Sequence, residues 1–290
     1  MYTTTFEYHR AGSVEEALDL LSLYGDDAKL LAGGHSLIPV MKLRFARPAH
    51  LIDIRRIAGL AGIREENGAI VIGATTTHRT VESSELIRTR VPMLAEAAGE
   101  IGDPQVRNMG TIGGSVAHAD PAADLPAVLL ALDAEFRARG PEGARTIPAD
   151  GFFLGLMTTA LDPAEILTEV RIPIPPGRGG GAYVKHPHPA SRFAIVGVAA
   201  LVTLGDDDRI ERVRVGITGL DTRARRATSV ETALAGTAGE PTDIEAAAAH
   251  AADGLTLRDD AQGPVEYKAE LAKIHTARAL SRAIHRARGG

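Results

Sequence analysis

Two pairs of glycines flanked by hydroxyl side chains are the residues of this chain best suited to chemistry. Ala32-Gly33-Gly34-His35-Ser36 sets two glycines, an imidazole and a hydroxyl where a short apolar strand, Lys29-Leu30-Leu31, gives way to a brief helix with Pro39 near its start. Glycine admits positive φ and close backbone approach, so successive N–H groups can converge on an anion such as a pyrophosphate. An ordinary tight turn would use the same five residues. Some eighty positions later Thr111-Ile112-Gly113-Gly114-Ser115 repeats the pattern, paired glycines between hydroxyl residues on what reads as an extended segment. The chain has neither a Walker A sequence nor a GxGxxG turn. Two such loops therefore point to one extended, phosphate-bearing ligand held from two sides, as against two unrelated turns.

Asp120 and Asp124 flank Pro121 just after the second glycine pair. Either could accept hydrogen bonds from ribose or ribityl hydroxyls. Equally, Asp124 could cap a helix running through Pro126 to Leu132, and a buried Asp could do both. Lys185, in Tyr183-Val184-Lys185-His186-Pro187-His188-Pro189, could face a phosphate or an electron-rich ring, or be solvated as most lysines are. His35, His118, His186 and His188 include no pair at the i, i+4 spacing of a helical zinc site, and there is no Cys, so no metal is expected. Ser36 and Ser115 lie outside any GxSxG turn, which argues against a hydrolase.

The elements that must position these groups fall into three segments. In residues 1–57, Ser13 caps an amphipathic helix whose Val14, Ala17, Leu18 and Leu21 share a face, with Glu15 and Glu16 in its first turn and Gly25-Asp26-Asp27 at its end. The strand at 29–31, the brief helix and a strand over 50–54 then make a βαβ-like unit. Residues 58–176 hold a strand over 69–73, helices near 84–90 and 92–101, the glycine-rich stretch over 108–115, and strands over 135–139 and 166–172. Pro173, Pro175, Pro176 and the glycines from Gly177 to Gly181 read as a linker. In residues 177–290, Val- and Ile-rich strands over 194–204 and 209–219 enclose a hairpin loop, Gly205-Asp206-Asp207-Asp208. An Ala-rich helix over 243–252 and a long helix over 265–287 follow. The fold class is α+β.

Composition narrows the chemistry. A chain of 290 residues that is 44% apolar can bury a sizeable core. Its net charge of −5, with no like-charge block longer than Asp206-Asp207-Asp208, provides no footprint for nucleic acid or an anionic membrane. Met1-Tyr2-Thr3-Thr4-Thr5-Phe6 lacks the features of a signal peptide and no apolar run approaches membrane-spanning length, so a cytoplasmic location is expected. Zero Cys excludes disulfides, cysteine-ligated clusters and a cysteine nucleophile. Any redox chemistry must then be carried by a bound organic cofactor.

Taken in order, these motifs resemble the FAD-binding medium subunit of the xanthine oxidase, or molybdenum hydroxylase, family, above all the separate medium subunits of bacterial carbon monoxide dehydrogenase-type and aldehyde dehydrogenase-type complexes. The resemblance runs from Phe6-Glu7-Tyr8 through Leu31-Ala32-Gly33-Gly34-His35-Ser36-Leu37-Ile38-Pro39, Gly110-Thr111-Ile112-Gly113-Gly114-Ser115 and Asp120-Pro121-Ala122-Ala123-Asp124-Leu125-Pro126 to Gly197-Val198-Ala199-Ala200. It implies an FAD-binding fold of the vanillyl-alcohol-oxidase and p-cresol-methylhydroxylase type. Two FAD-binding subdomains would span 1–57 and 58–176, and a small C-terminal α+β domain, a three-stranded antiparallel sheet with helices, would span 177–290.

The resemblance further implies non-covalent FAD, with its pyrophosphate on Ala32, Gly33, Gly34, His35 and Ser36. The flavin and its linker would lie along Thr111, Gly113, Gly114 and Ser115, with further contacts from Asp124, Leu167 and Lys185, and no residue need be a catalytic acid or base. Arg192-Phe193 stands where some relatives carry a Tyr, or an Asp just before the aromatic, near the ring. The implied role is electron transfer. A large subunit with molybdenum–pterin oxidises substrate, a small subunit holds two iron–sulfur clusters, and the medium subunit's FAD serves an external acceptor such as a quinone or NAD. The implied assembly is a dimer of heterotrimers. Two other classes compete, a stand-alone flavoprotein oxidoreductase and a non-catalytic nucleotide-binding module.

Overall fold

The structure, a computed structural model, describes residues 2–175 and 177–290. Met1 of the N-terminal reading and Pro176 of the linker reading lie outside the described residues. The chain begins with β1 (Glu7–Arg10), α1 (Val14–Tyr24), β2 (Ala28–Leu31), α2 (Leu37–Lys42) and β3 (His50–Asp53). The strands form a parallel sheet in the order β1-β3-β2. Ser13 caps α1 by accepting the Glu16 N–H at 3.1 Å, and Ala17 and Leu21, one turn apart, are buried. Gly25, at φ 53°, ends the helix by returning its N–H to the Leu21 carbonyl. β3 stops one residue short of the span read from the sequence. β1 is an addition, because Glu-Tyr-His-Arg shows no apolar alternation.

The middle of the chain runs through β4 (Ile63–Glu66), β5 (Ala69–Gly73), α3 (His78–Ser83), α4 (Glu85–Arg90), α5 (Pro92–Glu100), α6 (Pro104–Met109), α7 (Ile112–His118) and α8 (Asp124–Ala131). It continues with β6 (Glu135–Gly140), β7 (Gly143–Pro148), a small hairpin of β8 (Phe153–Gly155) and β9 (Thr158–Thr159), and β10 (Ile166–Pro173). An antiparallel sheet has the order β4-β5-β10-β6-β7. Every residue of β5 and of α8 is buried, which is why neither shows a polar face in the sequence. Phe136, on β6, packs against Phe152 and Phe153 with ring centroids 4.4 and 5.9 Å away.

Two expectations change here. The second glycine pair is not extended: Gly113 and Gly114 form the first turn of α7, with Thr111 accepting the Gly114 N–H at 3.1 Å. The cap and the packing of Gly113 outweigh glycine's poor helix propensity. Nor does Asp124 cap α8, since Ala123 holds the N-cap position and Asp124 is the first helical residue, its side chain engaged elsewhere.

The last segment contains β11 (Gly179–Pro187), β12 (Ala194–Leu204), β13 (Ile210–Thr218), β14 (Arg225–Arg226), α9 (Thr228–Leu234), α10 (Pro241–Ala248) and α11 (Val265–Ala287). The expected three-stranded sheet has a fourth strand of two residues, in the order β11-β12-β13-β14. The linker is shorter than expected, because Gly179, Gly180 and Gly181 already belong to β11. Their alternation explains the glycines. A Cβ at Gly180 would sit 2.1 Å from the Ala283 carbonyl of α11, whereas one at Gly181 would meet Met93 of α5 at 3.4 Å. Along β11, Tyr183 joins the core of the middle segment, while Ala182 and Val184 join the C-terminal core. The sheet is thus a wall shared by two cores, and β12 is correspondingly apolar on both faces. Among the described residues, no helix is long and apolar enough to cross a membrane.

Candidate functional site

The first glycine loop lies between the end of β2 and the start of α2. Gly34 has φ 73° and its carbonyl accepts the Ile38 N–H at 3.0 Å, while the Gly33 carbonyl is 3.1 Å from Nδ1 of His35. His35 and Ser36 are exposed, and the Ser36 hydroxyl makes no capping bond to α2. Among the described residues, the N–H groups of Gly33, Gly34, His35 and Ser36 reach no protein acceptor. Such a run of free donors beside glycines is an anion cradle.

The second loop is zipped against the segment that leaves β5. The Gly110 carbonyl accepts the His78 N–H at 2.9 Å, Ile112 donates to the Thr76 carbonyl at 3.0 Å, and Gly113 donates to the Ala74 carbonyl at 2.8 Å. A Cβ at Gly113 would lie 2.5 Å from that of Ala74, so this glycine permits helix and strand end to touch. Gly114 and Ser115 remain partly exposed, whereas Thr111 is buried. The two glycine loops meet directly. A Cβ on Gly33 would fall 2.2 Å from the Met109 carbonyl oxygen and 2.7 Å from the Gly110 Cα.

His78, unremarked in the sequence, borders this junction. It is buried, its Nδ1 has no partner among the described residues, and its Cδ2 edge would be 2.8 Å from a Cβ on Gly110. Burial first, then the neighbouring His35 and Arg107, push its pKa down to about 4, so the ring is neutral at pH 7.

Asp124 and Lys185 are joined to each other. The Lys185 ammonium donates to the Asp124 carboxylate at 2.9 Å and to the Glu100 carbonyl at 3.0 Å, and the Tyr183 hydroxyl donates to Asp124 at 2.5 Å. Tyr183 and Lys185 alternate along β11, so both face α8. Burial pushes the Asp124 carboxyl up, with Lys185 and Tyr183 opposing. Burial, with Asp124 adding to it, also raises the Tyr183 phenol well above its usual value. Gly197 on β12 leaves room for that phenol, since a Cβ there would be 2.3 Å from its oxygen. Leu167 is buried in the middle core at a bulge in β10, and the next carbonyl, Thr168, accepts the Ala74 N–H at 2.9 Å beside Gly113. Arg192 has φ 59° in the turn before β12, and Phe193 beside it is exposed. Two surface hollows of about 570 and 480 Å³ lie in the last segment, lined by residues such as Arg212 and Glu231 or Ile244 and Ile274, away from the glycine loops.

Comparison with known proteins decides the family. Residues 4–175 match the model described as FAD binding domain in molybdopterin dehydrogenase, and residues 181–283 match the CO dehydrogenase flavoprotein C-terminal domain. The chain belongs to the FAD-binding medium subunits of the molybdenum hydroxylases. The carbon monoxide dehydrogenase medium chain of Hydrogenophaga pseudoflava is 44% identical over 98% of both chains. Subunit alpha of the 6-hydroxypseudooxynicotine dehydrogenase complex of Paenarthrobacter nicotinovorans is 41% identical over 99% of this chain and 97% of its own. A solved chain of the Hydrogenophaga pseudoflava carbon monoxide dehydrogenase lacking the Mo-pyranopterin moiety superposes with a TM-score of 0.96, at 45% identity and 99% coverage of both chains. Quinoline 2-oxidoreductase of Pseudomonas putida 86 superposes with a TM-score of 0.93 at 30% identity, again with 99% of both chains covered.

As a member of this family the chain is the FAD subunit of an oxidoreductase complex, with the α+β fold of such subunits. Its residues fit FAD: the open N–H groups at Gly33–Ser36 suit a pyrophosphate, and the loop contact sets a second glycine turn beside them. Sequence reasoning did not find His78, Tyr183 or Thr218. Reading β11 as a strand from Gly179 would have put Tyr183 on the same face as Lys185.

Proposed function

We propose that this chain holds FAD non-covalently between its two glycine loops, takes electrons from the iron–sulfur clusters of a small partner subunit and passes them to an external acceptor. A large partner subunit with molybdenum–pterin would oxidise the substrate, within a dimer of heterotrimers. Residues 1–57 and 58–176 serve as the two FAD-binding subdomains, and 177–290 as the C-terminal domain. Bound there, FAD supplies the redox chemistry, and the protein's task is to bind, orient and shield it. The observation that carries this reading is the backbone contact of Gly33 with Met109 and Gly110, next to four N–H groups without a protein acceptor among the described residues.

In this reading Ala32, Gly33, Gly34, His35 and Ser36 receive the pyrophosphate, and Thr111, Gly113, Gly114 and Ser115 line the flavin and its linker. Asp124, Leu167 and Lys185 complete the contacts. The Lys185–Asp124 pair and the Tyr183 hydroxyl also fasten β11 to α8, so the C-terminal sheet orients the wall of the site.

The purified complex should show a flavin absorbance band with about one FAD per chain, released on denaturation. A colourless complex would refute the reading. Gly33→Val should abolish FAD retention, because its side chain would displace the Met109–Gly110 backbone. Full flavin occupancy in a folded Gly33→Val protein would remove the first loop as the pyrophosphate site. The mass of the native complex tests the dimer of heterotrimers.

A further inference from the structure

We propose that Glu7, His9 and His50 form a binding site for a divalent transition metal of the zinc class, clipping the N-terminal edge strand to its neighbour. The backbone brings the three together. Glu7 and His9 are two residues apart on β1 and so share a face, and the parallel register sets Glu7 opposite His50 on β3. His9 Nε2 is 3.0 Å from His50 Nδ1, and a Glu7 carboxylate oxygen is 3.6 Å from His50 Nδ1 and 3.9 Å from His9 Nε2. Donors bonded to a tetrahedral zinc at about 2.0–2.2 Å stand roughly 3.3 Å apart. The three observed separations bracket that spacing, and the carboxylate at the longer distances belongs to an exposed side chain free to rotate inward.

The rings are also held in place. Tyr24, at the end of α1, stacks on His50 with centroids 3.7 Å apart and planes 12° apart, and on His9 at 5.0 Å and 30°. A His–His hydrogen bond alone would account for the 3.0 Å contact. The geometry adds a third donor: the Glu7 carboxylate oxygen, His9 Nε2 and His50 Nδ1 all lie within 4.8 Å of one another. Two imidazoles and a carboxylate are a donor set that zinc and its first-row neighbours favour. The exposure of Glu7 leaves a fourth position to water.

The site lies apart from His35, His118, His186 and His188, the histidines that stand beside the sequence motifs. Its consequence is structural. β1 has four residues and lies at the sheet edge, where among the described residues it pairs with β3 alone. A metal bound by β1 and β3 in the folded chain alone stabilises that fold by mass action.

The test uses the full chain as purified, dialysed against a chelator. Zn²⁺ is titrated calorimetrically and Co²⁺ by visible absorption, with flavin content monitored separately. A single equivalent should bind, Co²⁺ should give the intense absorption of a tetrahedral site, and Zn²⁺ should raise the unfolding temperature. Glu7→Gln and His50→Gln should each weaken binding by at least about tenfold, as even losses outside the ligand shell do. Glu7 is exposed, so its substitution should leave flavin content unchanged and keep the test independent of folding. Binding that both variants retain unchanged, an octahedral Co²⁺ spectrum, or no heat of binding would overturn the proposal.

Discussion

A buried histidine with a free ring nitrogen gives this fold a built-in acid sensitivity. His78 is neutral in the folded chain, its pKa held down to about 4 by burial and then by His35 and Arg107, whereas in the unfolded chain it protonates near 6.5. Because the folded value is the lower, the unfolded chain binds the extra proton. The stability that keeping His78 neutral contributes is therefore complete above about pH 6.5 and is lost as pH falls toward about 4. The difference between the two values corresponds to about 3 kcal/mol at the acid end. Urea unfolding of the wild type and of His78→Gln should differ by an amount that changes across this window. Parallel curves would show that the ring is not buried in its neutral form. Nothing in Thr75-Thr76-Thr77-His78 announces this, since the residue's burial depends on Gly110, thirty-two positions on. Gly33 is the opposite case, singled out in the sequence by its type and neighbours.

At the scale of elements, glycine marks where one element approaches another. Gly113 lets α7 lie on the end of β5, Gly180 lets β11 meet α11, and Gly216 lets β13 meet α8, where a Cβ would be 2.0 Å from the Ala127 carbonyl. Gly216→Val must separate β13 from α8, and overpacking of this kind costs about 1–3 kcal/mol or more. Gly155, with open space around its Cβ position, serves as the control. In chemical unfolding, Gly216→Val should be clearly less stable than Gly155→Ala, which should match the wild type. Apolar periodicity made α1 and α11 legible, and Val and Ile content made β12 so. Local pattern failed at α7, where two glycines suggested extended chain, and at β11, where three glycines suggested a linker. In both places tertiary contact outweighed local propensity.

At the scale of the whole molecule, the C-terminal sheet closes one core and builds another. Thr218, at the end of β13, is the clamp: its hydroxyl lies 2.7 Å from the Pro121 carbonyl and 2.9 Å from that of Ala123. Gly219 N–H adds a third bond, to Pro121 at 2.7 Å. These bonds fix the turn that leads into Asp124. Thr218→Val should cost about 1–3 kcal/mol by removing the hydroxyl donor that the Pro121 and Ala123 carbonyls share. It should also weaken FAD retention on dilution before the chain unfolds. Flavin retention equal to the wild type at every dilution would confine the clamp to stability.

By itself the sequence determined the chemistry available to this chain: paired glycines whose backbone can approach a ligand closely, no cysteine for a cluster, and an order of motifs belonging to one family. Those properties reside in residue type and short-range spacing, which need no third dimension. Tertiary structure alone decided that the two glycine loops touch, that Lys185 spends its charge on Asp124, and that β1 brings His9 to His50. Each of these joins residues tens of positions apart through sheet register or backbone packing. No local pattern encodes such a pairing, because its energy arises only when distant segments are buried together.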